Sequence, residues 1–160
     1  TVTFFTHLRF IFQPQHTLSP ELYSQYEFNH FTTLDHRFLF GFGARYAFAL
    51  PYFKYCFLGT SILYEREVYT QNRYRDFRIS SYLNFIHYFA DQYTLNTIFY
   101  AQPKLDQWSN TRVYLNQSFL VHLSKKVDLT IRFSASYDSH PESTVKAWDF
   151  SLKNGLAISF

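Results

Sequence analysis

The chain has no methionine, a single cysteine (Cys56) and only four glycines among its 160 residues. One thiol supplies neither a disulfide framework nor a cysteine-based metal quartet. No apolar run reaches the roughly 20 residues that a membrane-spanning helix needs, so a helical membrane protein is excluded. A charged-then-apolar leader is also missing. With no methionine present, the expectation is a sequence that begins after any signal peptide has been removed. The net charge of +3 is spread along the chain without clustering. That spread argues against nucleic acid as a partner.

Aromatic residues fill the space left by these absences. Phe and Tyr number 20 and 14, the aromatic fraction is 22% and mean hydropathy is -0.23. Membrane β-barrels carry such a balance because only alternate residues meet lipid, which leaves the average near that of a soluble protein. The length suits one domain, residues 1–160.

The pattern is clearest at the C-terminal end. Trp148, Phe150, Leu152, Leu156, Ile158 and Phe160 share one face of an extended segment, with Asn154 out of character. Asp149, Ser151, Lys153, Gly155, Ala157 and Ser159 share the other. The last eight residues, with Lys153, Gly155, Ile158 and a terminal Phe160, resemble the assembly signal of bacterial outer-membrane barrels. An edge strand of a soluble sandwich is the competing reading.

Earlier segments repeat the pattern. Val2, Phe4, Leu8, Phe10 and Phe12 oppose His7 and Arg9, and a proline-containing break is expected from Gln13 to Pro20. Leu22, Tyr26 and Phe28 oppose Gln25, Glu27 and Asn29. A polar connection is expected around Thr32 to Asp35. Phe38, Phe40, Phe42, Ala44, Tyr46 and Phe48 oppose Arg37, Leu39, Gly41, Gly43, Arg45 and Ala47. After a turn at Ala49 to Tyr52, Leu58, Thr60, Ile62 and Tyr64 oppose Gly59, Ser61, Glu65 and Glu67.

A polar loop is expected from Tyr69 to Asp76. Ile79, Leu83 and Phe85 then oppose Arg78, Ser80, Tyr82 and Asn84. Beyond a turn at Phe89 to Gln92, the segment Tyr93 to Gln102 alternates weakly, and Pro103 to Asn110 forms a longer loop holding Trp108. Val113, Leu115, Phe119, Val121 and Leu123 face away from Arg112, Tyr114, Asn116, Ser118 and His122. Past Ser124 to Lys126, Val127 to Tyr137 opposes Asp128 to Asp138, and a loop from Ser139 to Ala147 leads into the last strand.

Side-chain size sets the direction of these faces. A barrel of about eight to ten strands has an interior only wide enough for its own side chains. The rings cannot gather there, whereas glycine, serine and paired charges can. The aromatic face therefore points outward, where only lipid makes its exposure favourable.

Short and long connections alternate, as they do between the periplasmic turns and surface loops of outer-membrane barrels. With Phe160 at the periplasmic end, the loops around Thr70, Gln107 and Glu142 lie outside the cell, and both tryptophans sit near the outer girdle. The expected fold is an all-β, antiparallel, up-and-down transmembrane barrel with about nine strands in this chain. Bacterial barrels close on an even number, so a total of about ten to twelve with an N-terminal part missing is one reading. A missed or falsely split strand is the other.

Several short motifs then acquire meaning through their order. Gly41-x-Gly43-x-x-Tyr46, Leu58-Gly59, Tyr64-Glu65-Arg66-Glu67, Arg78-Ile-Ser-Ser-Tyr-Leu83, Tyr100-x-Gln102-Pro103 and Tyr137-Asp-Ser-x-Pro141, followed by Asp149 and Gly155, resemble the family of uncharacterised "salt-induced" outer-membrane proteins (DUF481-like). The likeness spans roughly Phe38 to Phe160. It implies an integral outer-membrane barrel of undefined role, sometimes linked to osmotic stress, and it lends no catalytic residues. Members usually begin with further strands.

For catalysis, the weak candidates are His122 and Ser124, whose spacing puts both on one strand face. They point inward near the periplasmic end with no acidic orienter evident, and a hydrogen-bonded interior histidine is the stronger reading. Asp138-Ser-His140 reads as a solvated loop, and His7, His30, His36 and His87 lack ligand spacing. No metal or cofactor is expected.

The inward charges Arg9, Glu27, Arg37, Arg45, Glu65, Glu67, Arg78, Arg112, Asp128, Arg132, Asp138, Asp149 and Lys153 include both signs. Buried charges persist only when paired, so a lumen crossed by carboxylate–arginine bridges is expected. A narrow selective pore is the alternative. Arg66, Arg73 and Arg75, with Arg78, surround one outer loop and are candidates for lipopolysaccharide phosphates.

The functional expectation is a structural or accessory envelope protein integral to the bacterial outer membrane. Its expected partners are outer-membrane lipids and lipopolysaccharide, the barrel-assembly machinery during insertion, and other outer-membrane proteins. A lipid-modifying enzyme, a narrow pore and a soluble ligand-binding barrel are the competing classes.

Overall fold

The computed structural model describes residues 3–29, 34–69, 72–141 and 146–158. Nine strands follow one another: β1 (Thr3–Ile11), β2 (Leu18–Asn29), β3 (Leu34–Leu50), β4 (Phe53–Tyr69), β5 (Arg73–Phe89), β6 (Tyr93–Pro103), β7 (Thr111–Ser124), β8 (Val127–Asp138) and β9 (Trp148–Ile158). Each pairs antiparallel with the next, so the sheet order is the sequence order. Among the described residues β1 and β9 are not paired with each other, and both run in the same direction.

The sheet is curled into a half-barrel. Side chains far apart in strand order meet across its hollow: Arg9 of β1 donates to the Tyr100 hydroxyl of β6 at 3.5 Å, and Arg112 of β7 reaches Glu65 of β4 at 2.7 Å. A flat sheet would hold strands this far apart well beyond contact, since neighbours are spaced about 4.8 Å. No helix among the described residues is long and apolar enough to cross a membrane.

Period-two alternation sets which residues fill the hollow. On β4, Gly59, Ser61, Leu63, Glu65 and Glu67 are buried while Leu58, Thr60, Ile62 and Arg66 are exposed. A small apolar cluster, Tyr23, Leu39 and Leu63, lies on the concave side among polar groups. The convex side carries the large apolar residues, including Phe38, Phe40, Phe42, Leu58, Ile62, Phe77, Phe99, Phe150, Leu152 and Leu156, all exposed.

Three glycines open space for the curl. A Cβ on Gly41 would collide with the Tyr23 ring, and one on Gly59 with the Tyr82 ring. A Cβ on Gly43 would meet the backbone oxygen of Thr60 and the Ser61 side chain. The tyrosines lie over bare backbone, which lets the wall bend sharply without leaving a void.

Two boundaries differ most from the sequence reading. The break expected through Pro20 ends earlier, because β2 begins at Leu18 and Pro20 pairs with Ala44. The Pro20 carbonyl accepts from the Phe12 amide just beyond the last β1 partner. Its missing N–H faces the same way, so the one ladder bond forgone falls at the very end of β1. The loop expected from Tyr69 to Asp76 is mostly strand, since β4 runs to Tyr69 and β5 starts at Arg73. Both faces are polar there, which erases the contrast that periodicity needs. The expectations for Val2, His30, Thr32, Thr70, Glu142 and Phe160 fall outside the described residues.

Candidate site: the charged concave face

The densest cluster lies toward the long-loop end of the hollow. Glu65 and Glu67 are two apart on β4 and so share a face, and Arg37 on β3 is the register partner of Glu67. Arg37 contacts Glu65 at 2.6 Å and Glu67 at 3.3 Å, with Glu27 at 3.7 Å. Arg112 contacts Glu65 at 2.7 Å, Glu67 at 3.0 Å and Asp138 at 2.8 Å. Arg78 contacts Glu65 at 2.9 Å.

Arg78 also donates to the carbonyls of Gln102 and Asn110 at 3.1 and 3.2 Å, and to Asn110 Oδ1 at 3.0 Å. Its planar fork suits several acceptors in fixed directions. Outside this cluster, Lys104 pairs with Asp76 at 2.8 Å. The charges are thus stitched across β3, β4, β5, β7 and β8.

A second cluster fills the opposite part of the hollow. Arg9 lies 4.0 Å from Glu21 and stands over the Tyr23 and Tyr82 rings at 5.4 and 5.3 Å. Tyr82 donates to Glu21 Oε2 at 3.0 Å, and Tyr23 and Ser61 share a hydrogen bond of 2.9 Å. Among the described residues, Arg9 Nε and Glu21 Oε1 are buried without a hydrogen-bond partner. A cleft of about 500 Å³ opens beside Arg9, Tyr100 and Tyr114, and another of about 540 Å³ opens above Glu67 and Arg112.

The sequence-derived network is brought together only in part. Arg9, Glu27, Arg37, Glu65, Glu67, Arg78, Arg112 and Asp138 join the ion pairs above. Arg45 instead donates to the Pro14 carbonyl at 3.5 Å and stands over the Phe57 ring. Arg132 and Lys153 are exposed register partners of each other, without an ion pair among the described residues. They lie at the open edge of the sheet, where no opposite wall supplies a carboxylate. Asp149, also near that edge, is exposed.

At the turn end, His122 Nδ1 lies 2.7 Å from Asp128 Oδ1. An acidic orienter is therefore present, contrary to the sequence reading, which could not see that β7 and β8 pair His122 with Asp128. Ser124 Oγ accepts from the Lys126 amide at 3.2 Å and caps the turn. His140 donates its amide to Asp138 Oδ1. Among the described residues no group of three or more His, Cys, Asp or Glu is placed to hold a metal ion.

Glu21, Tyr23 and Asn110 belong to the clusters but were missed in sequence. Glu21 follows a proline that reads as a break, and Asn110 sits in a loop. Continuing the alternation of Tyr23, Gln25 and Glu27 backwards by one step would have found Glu21. Arg66, Arg73 and Arg75 lie exposed on the convex face, away from both clusters. Of the C-terminal residues, Lys153, Gly155 and Ile158 lie on β9 with Ile158 exposed.

No curated protein and no solved structure matches the chain. The ordered motifs from Phe38 onward nonetheless sit on the strands that carry the buried charges, and the likeness extends back through β1. Matched over residues 4–160, the chain belongs to DUF481, a family of proteins of unknown function.

Proposed function

We propose that the protein is an integral β-barrel of the bacterial outer membrane whose lumen is plugged by its own ion pairs, and that it serves the envelope as a structural or accessory wall. The observation that carries this reading is an inversion of polarity. Phe42 and Ile62 are 61% and 58% exposed on the convex side, while Glu65 and Arg78 are 1% and 2% exposed in the hollow. In water this arrangement wastes the main driving force for folding. In a bilayer it satisfies both sides, since hydrocarbon accepts the rings and the buried charges Glu21, Glu65, Glu67, Arg78 and Arg112 lie in ion pairs.

From Phe38 to Phe48 the outward face of β3 is apolar for about the 9–11 residues that a tilted membrane strand needs. Closure in antiparallel fashion requires an odd number of further strands between β1 and β9, because these two run alike. An even total of ten or twelve strands meets that condition. Arg37, Glu65, Glu67, Arg78 and Arg112 then block free flow along the axis.

The test is extraction and conductance. Membranes carrying the protein, washed at alkaline pH, are expected to retain it until detergent is added, and planar bilayers holding it are expected to show no steady conductance steps. Appearance of the protein in the wash would overturn the membrane reading; regular steps would replace the plugged wall by a narrow pore. A lipid-modifying enzyme remains a second reading because Asp128 orients His122. Hydrolysis of labelled phospholipid that disappears in His122→Ala would favour it.

A further inference from the structure

The convex face of the β4–β5 hairpin changes character abruptly along its length. Ile62 faces Ile79 across the pair, then Tyr64 faces Phe77, then Arg66 faces Arg75, and Val68 faces Arg73 beyond them. On the neighbouring strand Phe40 stands beside Tyr64, and Phe38 beside Arg66. The apolar band thus ends in an aromatic row, and the next row places two guanidinium groups directly opposite each other.

Like charges directly opposite on a sheet destabilise it. Among the described residues no carboxylate relieves them: Arg66, Arg73 and Arg75 are exposed and take part in no ion pair there. The carboxylates of the same hairpin, Glu65, Glu67 and Asp76, take the other face and are already engaged by Arg37, Arg112 and Lys104. The residues between the two strands, Thr70 to Asn72, carry no charge in sequence. The charge imbalance on the convex face is therefore built into the hairpin.

We propose that Arg66, Arg75 and Arg73 form a binding site for a phosphorylated glycolipid headgroup at the outer rim of the barrel, with its acyl chains lying along Tyr64, Phe77 and Phe38. The inference rests on the membrane reading above and gives that wall a specific lipid partner. Guanidinium pairs bind phosphate oxygens in a forked geometry that a hydrated ammonium lacks. Three such groups call for more anionic charge than one phosphodiester carries, which selects a headgroup with two phosphates. The aromatic row lies where the interface between chains and headgroups belongs.

The test uses the purified full chain in mild detergent, with lipid A bearing both phosphates and lipid A stripped of them as probes, read by native mass spectrometry. The intact protein is expected to retain the phosphorylated form at least about tenfold better than the stripped form, since each phosphate accepts charge-assisted bonds from the guanidinium groups. The double variant Arg66→Gln, Arg75→Gln is expected to lose that preference, while Arg132→Gln, Lys153→Gln keeps it. Equal retention of both lipids, or an unchanged preference in the Arg66, Arg75 variant, would overturn the site. Displacement by millimolar inorganic phosphate would overturn its assignment to a lipid. Insertion into phospholipid vesicles, followed in parallel by resistance to alkaline wash, separates the two claims. A variant that inserts but shows no preference leaves the barrel standing and supports this site, whereas wild type that fails to insert removes both.

Discussion

Strands β4 and β9 have similarly alternating sequences but very different surroundings. On β4 the polar face meets β2, β3, β5 and β7 side chains across the hollow, and Ser61, Glu65 and Glu67 are buried. On β9 the polar face meets almost nothing, and Asp149, Lys153 and Gly155 are exposed, as are Leu152, Leu156 and Ile158 on the apolar face. Alternation therefore specifies which way a residue points, but only the opposite wall decides whether a charge there becomes structural.

The sharpest way to break this contrast is at Glu65. Glu65→Ala leaves Arg37, Arg78 and Arg112 without their shared carboxylate, and removal of one partner from a buried cluster typically destabilises by about 3–5 kcal/mol. Urea unfolding of the detergent-folded protein, followed by circular dichroism, should show a correspondingly lower midpoint. A change below about 1 kcal/mol would mean that the cluster is solvated and not a core.

A smaller effect is expected from the glycines. Gly43→Ala drives a methyl group into the Thr60 backbone and Ser61, for a loss of roughly 1–3 kcal/mol. Gly155→Ala on β9 meets nothing within 4 Å and should change the midpoint by less than about 0.5 kcal/mol. Equal effects at the two positions would dissolve the distinction between packed wall and open edge.

The smallest effect is expected at Lys153→Gln, again below about 0.5 kcal/mol. A loss above about 1 kcal/mol in the full protein would show that closure brings a carboxylate against β9. That outcome would sharpen the comparison by turning the edge into a second paired wall.

The sequence reading succeeded where one face is apolar and the other polar. Phe38 to Phe48, Leu58 to Tyr64 and Trp148 to Ile158 each announce their strand in this way. It failed where both faces are polar, as at Arg73 to Asp76, and where Pro20 mimics a break. Pairing was harder still to read. Arg37 with Glu67 and His122 with Asp128 depend on strand register, which turn lengths fix and composition does not. Treating every inward charge as paired also overreached, since Arg132 and Lys153 point inward at a place with no facing wall.

Arg78 binds carbonyls from both ends of the β6–β7 connection as well as Glu65. The surface loop carrying Trp108 is consequently moored to the interior of the wall instead of drifting above it. Any contact made on that loop would be felt first at Glu65, through a single rigid guanidinium.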